Sequence, residues 1–170
     1  MSKTRIELLR GDITLIDADA IVNAANKSLL GGGGVDGAIH RAAGPGLLEE
    51  CRNLKGCETG QSKITGGHNL KAQYVIHTVG PVWNGGINSE SALLASCYQT
   101  SLALAMEYKI KTLAIPAIST GAYRFPKDLA TMIAINETRK FLNKNSYPQK
   151  VIFVAFDDDI YKSYEKLLVL

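Results

Sequence analysis

The residues best suited to chemistry flank a run of four glycines. Asn26 precedes the run Gly31–Gly34 and Asp36 follows it, within the sequence NAANKSLLGGGGVDGAIH. Successive glycines cost backbone entropy, and a usual reason for them is a backbone that passes close to a ligand. The run leads into a predicted helix over 35–43, whose N-terminus offers unpaired N–H groups and partial positive charge. Because Lys27 is the only basic residue of this loop, we expect backbone dipoles to hold a phosphate there.

Two familiar nucleotide-binding patterns fit this loop poorly. Gly32, Gly34 and Gly37 match GxGxxG, but about seven residues separate the run from the preceding predicted strand, which a dinucleotide motif would follow directly. The P-loop pattern GxxxxGK[ST] is absent. A Rossmann-type oxidoreductase is therefore the weakest functional hypothesis, and a flexible surface loop is the structural alternative.

The sequence lacks the usual motifs of a triad or metal hydrolase. Ser119 lies in ISTG rather than in a GxSxG elbow. The histidines His40, His68 and His77 lack the spacing of HExxH or CxxC…H motifs. The three cysteines form no CxxC pair, so a zinc ribbon and a disulfide framework are poor interpretations. We therefore expect neither a metal nor a cofactor.

The composition indicates one globular domain of 170 residues. Hydrophobic residues make up 46% and charged residues 21% of the chain, which excludes a disordered or collagen-like protein. The longest apolar run, VIFVAF at 151–156, is far shorter than the ~20 residues of a membrane helix. A net charge of +3 without a basic cluster gives no support for nucleic-acid binding. Because no secretion signal is visible, we expect a cytoplasmic protein with reduced cysteines, acting as a monomer without a membrane partner.

The elements that must position these residues alternate between strand and helix. Apolar stretches predict strands over 5–10, 20–24, 63–65, 74–79, 112–115 and 150–156. Helical periodicity and helix-start signals predict helices over 35–43, 46–54, 89–108 and 158–168, with another beginning after Pro126. This order favours an α/β domain with a largely parallel sheet. We expect a ligand beside the loops that leave the C-terminal strand ends, 25–34, 80–88 and 117–125.

Longer stretches of the sequence resemble the MacroD-type macrodomain. They are NAAN at 23–26 with GGGGVDGAIHRAAGP at 31–45, GDIT at 11–14, IHTVGPVW at 76–83 and PAISTGAY at 116–123. The resemblance covers nearly the whole chain and points to the hydrolytic branch of that family. It implies that residues 1–170 form one macrodomain, a three-layer α/β/α sandwich around a mixed central sheet. It also implies a cleft for ADP-ribose and hydrolysis of esters on its distal ribose, in O-acetyl-ADP-ribose or in proteins mono-ADP-ribosylated on acidic side chains.

The resemblance assigns roles to the matching residues. Asp12 would accept the adenine amino group beside the backbone of Ile13, and Phe156 would pack on the adenine. Asn26 and Asp36 would form the polar pair at the scissile ester. Two loops would wrap the diphosphate and the distal ribose; their residues are Gly32, Gly33, Gly34, Val35, Ser119, Thr120, Gly121, Ala122 and Tyr123.

Position at a helix start suggests how Asp36 would act. The helix dipole favours the charged carboxylate, so we expect a lowered pKa for Asp36. A strongly acidic carboxylate is a poor base, and we expect Asp36 to orient water while a substrate phosphate oxygen takes the proton. Asn23 is predicted to be a structural amide, His77 a hydrogen-bonded core residue, and His40 a packing or surface residue.

Arg124 is the one visible departure from the resembled family, which commonly has glycine there. Either the loop differs locally, or the arginine reaches toward the bound phosphates or a protein substrate. A module that binds ADP-ribose without cleaving it is the alternative function. Asn26 and Asp36 favour the enzyme, because a binding module has no need of that pair.

Overall fold

Within residues 5–168, which the computed structural model describes, the chain forms one six-stranded sheet and five α-helices. The strands are β1 (Ile6–Arg10), β2 (Ala20–Ala25), β3 (Ser62–Gly66), β4 (Tyr74–Val79), β5 (Thr112–Pro116) and β6 (Lys150–Ala155). The helices are α1 (Gly34–Ala43), α2 (Pro45–Leu54), α3 (Glu90–Glu107), α4 (Lys127–Lys144) and α5 (Asp158–Leu168). The predicted domain limits, residues 1 and 170, lie outside the described residues.

The strands are arranged in the order β1-β6-β5-β2-β4-β3. Every neighbouring pair is parallel except β4 and β3, which are antiparallel. Strands of a parallel sheet are covered on both faces and therefore appear as nearly continuous apolar runs. The sequences AIVNAA of β2 and KVIFVA of β6 have this character. The mixed sheet that the resemblance implies is confirmed.

Side chains on the two faces of the sheet form two apolar clusters. Because successive strand residues point to opposite faces, Val22 and Phe153 pack with α3, α4 and α5. Ile21 and Ile152 pack with α1 and α2 on the other face. Burial of each such side chain contributes about 1.5–3 kcal/mol, so both clusters hold helices against the sheet. The result is the predicted three-layer α/β/α sandwich.

The predicted elements agree closely with the observed ones, with two differences that bear on the site. A 3₁₀ helix, Ile13–Leu15, was not predicted; the Thr14 N–H donates to Oδ1 of its N-cap Asp12 at 2.9 Å. The strand predicted over 150–156 is one residue too long, because Phe156 does not belong to β6. The last pair between β6 and β1 is Ala155 with Arg10, so Phe156 lies beyond the sheet and its side chain is 80% exposed.

No helix of the described chain is long and apolar enough to cross a membrane.

Candidate functional site

Two adjoining cavities lie where the chain leaves the C-terminal ends of β2, β5 and β6. The Asp36 cavity has a volume of about 340 Å³ and lies between the loops after β2 and β5. The Phe156 cavity, of about 490 Å³, extends past the 3₁₀ helix to α5. Four residues line both: Gly34, Val35, Ala117 and Gly121. Small-molecule sites are typically of this size, and one extended ligand can occupy both cavities.

Every residue that the resemblance assigns to catalysis or binding lines one of these cavities. Besides the shared residues, the Asp36 cavity contains Asn26, Gly32, Gly33, Asp36, Ser119, Ala122 and Tyr123. The Phe156 cavity contains Asp12, Ile13, Thr120 and Phe156. The structure thus brings together residues from opposite ends of the chain, and their individual roles stay predictions.

The glycine loop folds back against the first turn of α1. A Cβ on Gly37 would lie 2.5 Å from the carbonyl oxygen of Gly32, so this contact requires glycine. Gly34 begins the helix with a φ of 57°, a left-handed conformation that glycine adopts without strain. The N-cap residue is Gly33, which has no side chain to accept from the first N–H groups of the helix. The first N–H groups of α1 therefore stay available at residues that line the cavities, an arrangement that favours an anion.

Asn26 and Asp36 both lie against Gly32. A Cβ on Gly32 would be 3.1 Å from Asp36 Oδ2 and 3.3 Å from Asn26 Nδ2, so both polar groups reach the same point of the glycine loop. The Asn26 Nδ2 donates to the Gly31 carbonyl oxygen at 2.9 Å. Its Oδ1 accepts from the N–H and the hydroxyl of Ser28, at 3.2 and 2.6 Å. These bonds hold the Asn26 side chain in one orientation at the edge of the cavity.

The predicted direction of the Asp36 pKa shift is wrong. Burial raises the pKa of Asp36, and the hydrogen bond from Asn23 and the nearby His40 only partly oppose this. The dipole argument assumed an exposed first-turn carboxylate, whereas the Asp36 side chain is almost fully buried beneath the glycine loop. A carboxylate with a raised pKa is a better proton acceptor near neutral pH. Asp36 is therefore suited to act as a base as well as to orient water.

A buried group of polar side chains supports Asp36 from behind. Asn23 donates from Nδ2 to Asp36 Oδ1 at 2.8 Å, and His77 lies on the other side of Asn23. These contacts agree with the structural amide and the hydrogen-bonded core histidine that the sequence predicts. His40 does more than pack, because its Nε2 is 3.4 Å from Asp36 Oδ1. The sequence alone did not connect these four residues, which belong to β2, β4 and α1.

The Phe156 cavity combines an exposed ring with charged groups. Asp12 uses Oδ1 to accept from the N–H and the hydroxyl of Thr14, at 2.9 and 2.7 Å, which fixes its carboxylate at the rim. Arg41 also lines this cavity, and sequence reasoning missed it. Its signal was available, because Gly34, Ala38 and Arg41 follow the i, i+4, i+7 spacing of one helix face.

Arg124 occupies the turn after Tyr123 with a φ of 60°. Its N–H donates to the Gly121 carbonyl oxygen at 2.9 Å, so the turn keeps a left-handed residue although the side chain is arginine. This conformation costs a non-glycine residue roughly 1–2 kcal/mol. The neighbouring Phe125 is buried and its ring centroid lies 4.8 Å from that of Trp83, which anchors the turn. The loop thus accommodates arginine without losing its turn.

Comparison with known proteins identifies the family. The profile described as Macro domain matches residues 22–134. The chain belongs to the Macro domain family. It is 60% identical over 164 residues to a macro domain-containing protein of Methanosarcina mazei, covering 96% of this chain and 88% of that protein. These macrodomain sequences therefore align along almost their whole length.

Two further relatives have more informative names. The human protein ADP-ribose glycohydrolase MACROD2 is 56% identical over 164 residues, covering 95% of this macrodomain but 39% of the human protein. A Trypanosoma brucei macrodomain solved in complex with ADP-ribose is 47% identical, with a TM-score of 0.90, covering 95% of this chain and 68% of that one. The similarity in three dimensions confirms the fold that the resemblance implies.

Proposed function

We propose that this macrodomain binds ADP-ribose and hydrolyses esters on its distal ribose. The observation that carries the proposal is the placement of Asn26 beside the buried carboxylate of Asp36, in a cavity that continues past a helix N-terminus. The Trypanosoma brucei relative was solved with ADP-ribose, and the human relative is named an ADP-ribose glycohydrolase. The first supports ADP-ribose as the ligand, and the second supports a hydrolase that acts on an ADP-ribosyl group.

ADP-ribose fits the two cavities in one direction. The adenine occupies the Phe156 cavity, against the exposed ring of Phe156 and within reach of the Asp12 carboxylate. The diphosphate lies at the residues that both cavities share, where the start of α1 offers free N–H donors. The distal ribose then lies in the Asp36 cavity, between Asn26 and Tyr123. Arg41 adds a positive charge on the adenine side of the diphosphate.

The reaction needs one water molecule and one proton acceptor. Asp36 holds the water and takes one of its protons, because burial has raised the pKa of this carboxylate. The water oxygen bonds to the carbonyl carbon of the ester. The ester C–O bond then breaks, and the departing ribose oxygen receives the proton that Asp36 took from the water, which completes its hydroxyl group. Asn26 positions the ribose hydroxyl or the ester carbonyl through its amide.

The substrates that fit this chemistry carry an ester at the distal ribose. We propose O-acetyl-ADP-ribose and proteins mono-ADP-ribosylated on acidic side chains as substrates, with residues 1–170 acting as one domain. We further propose a cytoplasmic monomer. Its cysteines Cys51, Cys57 and Cys97 are buried and unpaired, which supports a reducing compartment.

Calorimetry with ADP-ribose, beside hydrolysis of O-acetyl-ADP-ribose, tests the proposal. We expect the wild type to bind and to turn over, and the Asn26→Ala/Asp36→Ala double variant to bind but lose turnover. The isosteric Asp36→Asn variant removes the base while keeping the side-chain volume, so it should also lose turnover. Wild-type binding without turnover would make the protein a binding module. Absence of binding would contradict the placement of ADP-ribose.

A further inference from the structure

His77 of β4 belongs to a buried hydrogen-bond chain that ends at Asp36. Asn23 Nδ2 lies 2.8 Å from Asp36 Oδ1 and 3.1 Å from His77 Nδ1. On the other side of the ring, Nε2 is 2.9 Å from the Thr65 hydroxyl. The Thr65 hydroxyl donates to the Gly66 carbonyl oxygen at 3.0 Å. Asn23 and His77 are fully buried and Thr65 nearly so.

These contacts favour one tautomer of His77. The Thr65 hydroxyl has a single proton, and when this proton bonds to the Gly66 carbonyl oxygen, the hydroxyl accepts from Nε2–H of His77. In a neutral imidazole, Nδ1 then carries no proton and accepts from Asn23. The two N–H groups of the Asn23 amide are thereby divided between His77 and Asp36. Within the described residues the Asn23 Oδ1 has no hydrogen-bond partner.

We infer that His77 is a positioning residue for Asp36: its Nε2–H tautomer turns the Asn23 amide so that an N–H, and not the carbonyl oxygen, meets the carboxylate. The reversed amide would place its oxygen against the ionised Asp36, where two acceptors repel each other. This orientation rests on contacts of the protein alone, and only its consequence for turnover rests on the proposed function.

The groups around this hydrogen-bond chain leave His77 neutral. Burial, and to a smaller extent His40, lower the pKa of His77 to about 3. Cys51 of α2 lies 3.8 Å from Nε2, and burial together with Glu50 and Asp36 raises the pKa of its thiol to about 11. The His40 ring centroid is 6.5 Å from that of His77. Near neutral pH, the His77 ring and the Cys51 thiol therefore both stay uncharged.

Two substitutions of His77 separate orientation from packing. His77→Leu removes the acceptor, so we expect the midpoint of the acid limb of kcat/KM to rise by about one pH unit, a tenfold lower rate below it. His77→Gln can accept from Asn23 and donate to Thr65, and it should restore the wild-type midpoint. The Kd for ADP-ribose should stay within about twofold in both variants, since a twofold change is under 0.5 kcal/mol.

Direct titration of the Asp36 carboxyl group by carbon NMR gives the same readout without turnover. Its pKa should rise in His77→Leu and return in His77→Gln, even if the protein proves to be a binding module. Nitrogen NMR of the wild type should show Nε2–H at His77. An Nδ1–H tautomer, or an unchanged Asp36 titration in folded His77→Leu, would overturn the inference.

Thr65→Val keeps the side-chain shape and serves if His77→Leu does not fold. Without the hydroxyl, Nε2–H loses its acceptor and the preference between tautomers weakens. We expect the Asp36 pKa to rise in the same direction as in His77→Leu, by a smaller amount. An unchanged Asp36 titration together with a retained Nε2–H tautomer of His77 would show that the Thr65 contact does not orient this hydrogen-bond chain.

Discussion

Phe156→Ala tests the assignment of the adenine end of the site. The ring is 80% exposed and lies past the end of β6, so the fold gains little from it. Stacking of a base on an aromatic ring is worth about 1–3 kcal/mol, which predicts a roughly 5- to 150-fold weaker Kd. The free energy of unfolding should change by less than about 0.5 kcal/mol, as for other exposed positions. In turnover, KM should rise while kcat stays unchanged, because the ring contacts a part of the ligand remote from the reacting ester.

Calorimetric titration with ADP-ribose, ADP and ribose 5-phosphate measures the effect. The two adenine-containing ligands should lose the same factor, whereas ribose 5-phosphate should be unaffected. Phe156→Tyr should keep the affinity, since it keeps a ring. Leu15→Ala is the matched control: Leu15 is another exposed apolar side chain near β1, and it lines neither cavity. Wild-type affinity for ADP-ribose in Phe156→Ala would refute the assignment, as would an equal loss for ribose 5-phosphate.

Three further predictions concern stability and charge. Gly37→Ala should lower the free energy of unfolding by about 1–3 kcal/mol, because its Cβ would lie 2.5 Å from a backbone oxygen. Gly33→Ala is the control: its Cβ meets nothing within 4 Å, so it should unfold in denaturant like the wild type. Equal stability of Gly37→Ala and Gly33→Ala would contradict the described packing of the loop. Arg41→Gln should weaken ADP-ribose binding about threefold at low salt, since exposed charge pairs are worth up to roughly 1 kcal/mol. Calorimetry at two salt concentrations should show that the Kd of the variant depends less on salt than that of the wild type. An unchanged salt dependence would place Arg41 away from the diphosphate. The pKa of His77 is about 3 in the folded state, below its unfolded value. As the pH falls below ~6.5, the unfolded state therefore takes up a proton first, and the free energy of unfolding of the wild type should fall relative to that of His77→Gln by about 1.4 kcal/mol per pH unit. The raised pKa of Asp36 changes the stability in the opposite sense, but it does so in both proteins. Parallel curves of unfolding free energy against pH for the two proteins, between pH 6 and 4, would therefore show that His77 is not held neutral.

The sequence predicts the elements and the place of the site because both depend on local patterns. Apolar runs and helical periodicity are visible over a few residues, and so is the glycine loop before α1. The end of β6 is not visible in this way: VIFVAF is uniformly apolar, and only the pairing with β1 shows that Phe156 lies outside the sheet. The shared helix face of Gly34 and Arg41 could have been found from spacing alone.

The environment of Asp36 could not be predicted from local pattern. Its burial depends on the fold of the glycine loop over α1, where Gly32 and Gly37 make contact. Its hydrogen bond comes from Asn23 of β2, a residue whose own sequence neighbours suggest only a buried strand. A pKa set by tertiary contacts opposes the helix dipole here, which is why the local electrostatic argument gave the wrong direction.

The position of the cavities follows from the order of the strands. From the β2–β5 pair, the chain continues in opposite directions, through α1 and α2 to β3 and β4 on one side and through α4 to β6 on the other. β2 is paired with β4 at six positions but with β5 at two, both at the start of the strands, so these neighbours separate toward their C-terminal ends. Loops on the two sides of such a switch point leave a crevice between them. The glycine loop before α1 and the Ser119–Tyr123 loop therefore belong to different halves of the fold, and a ligand that contacts both must bridge the gap between β2 and β5.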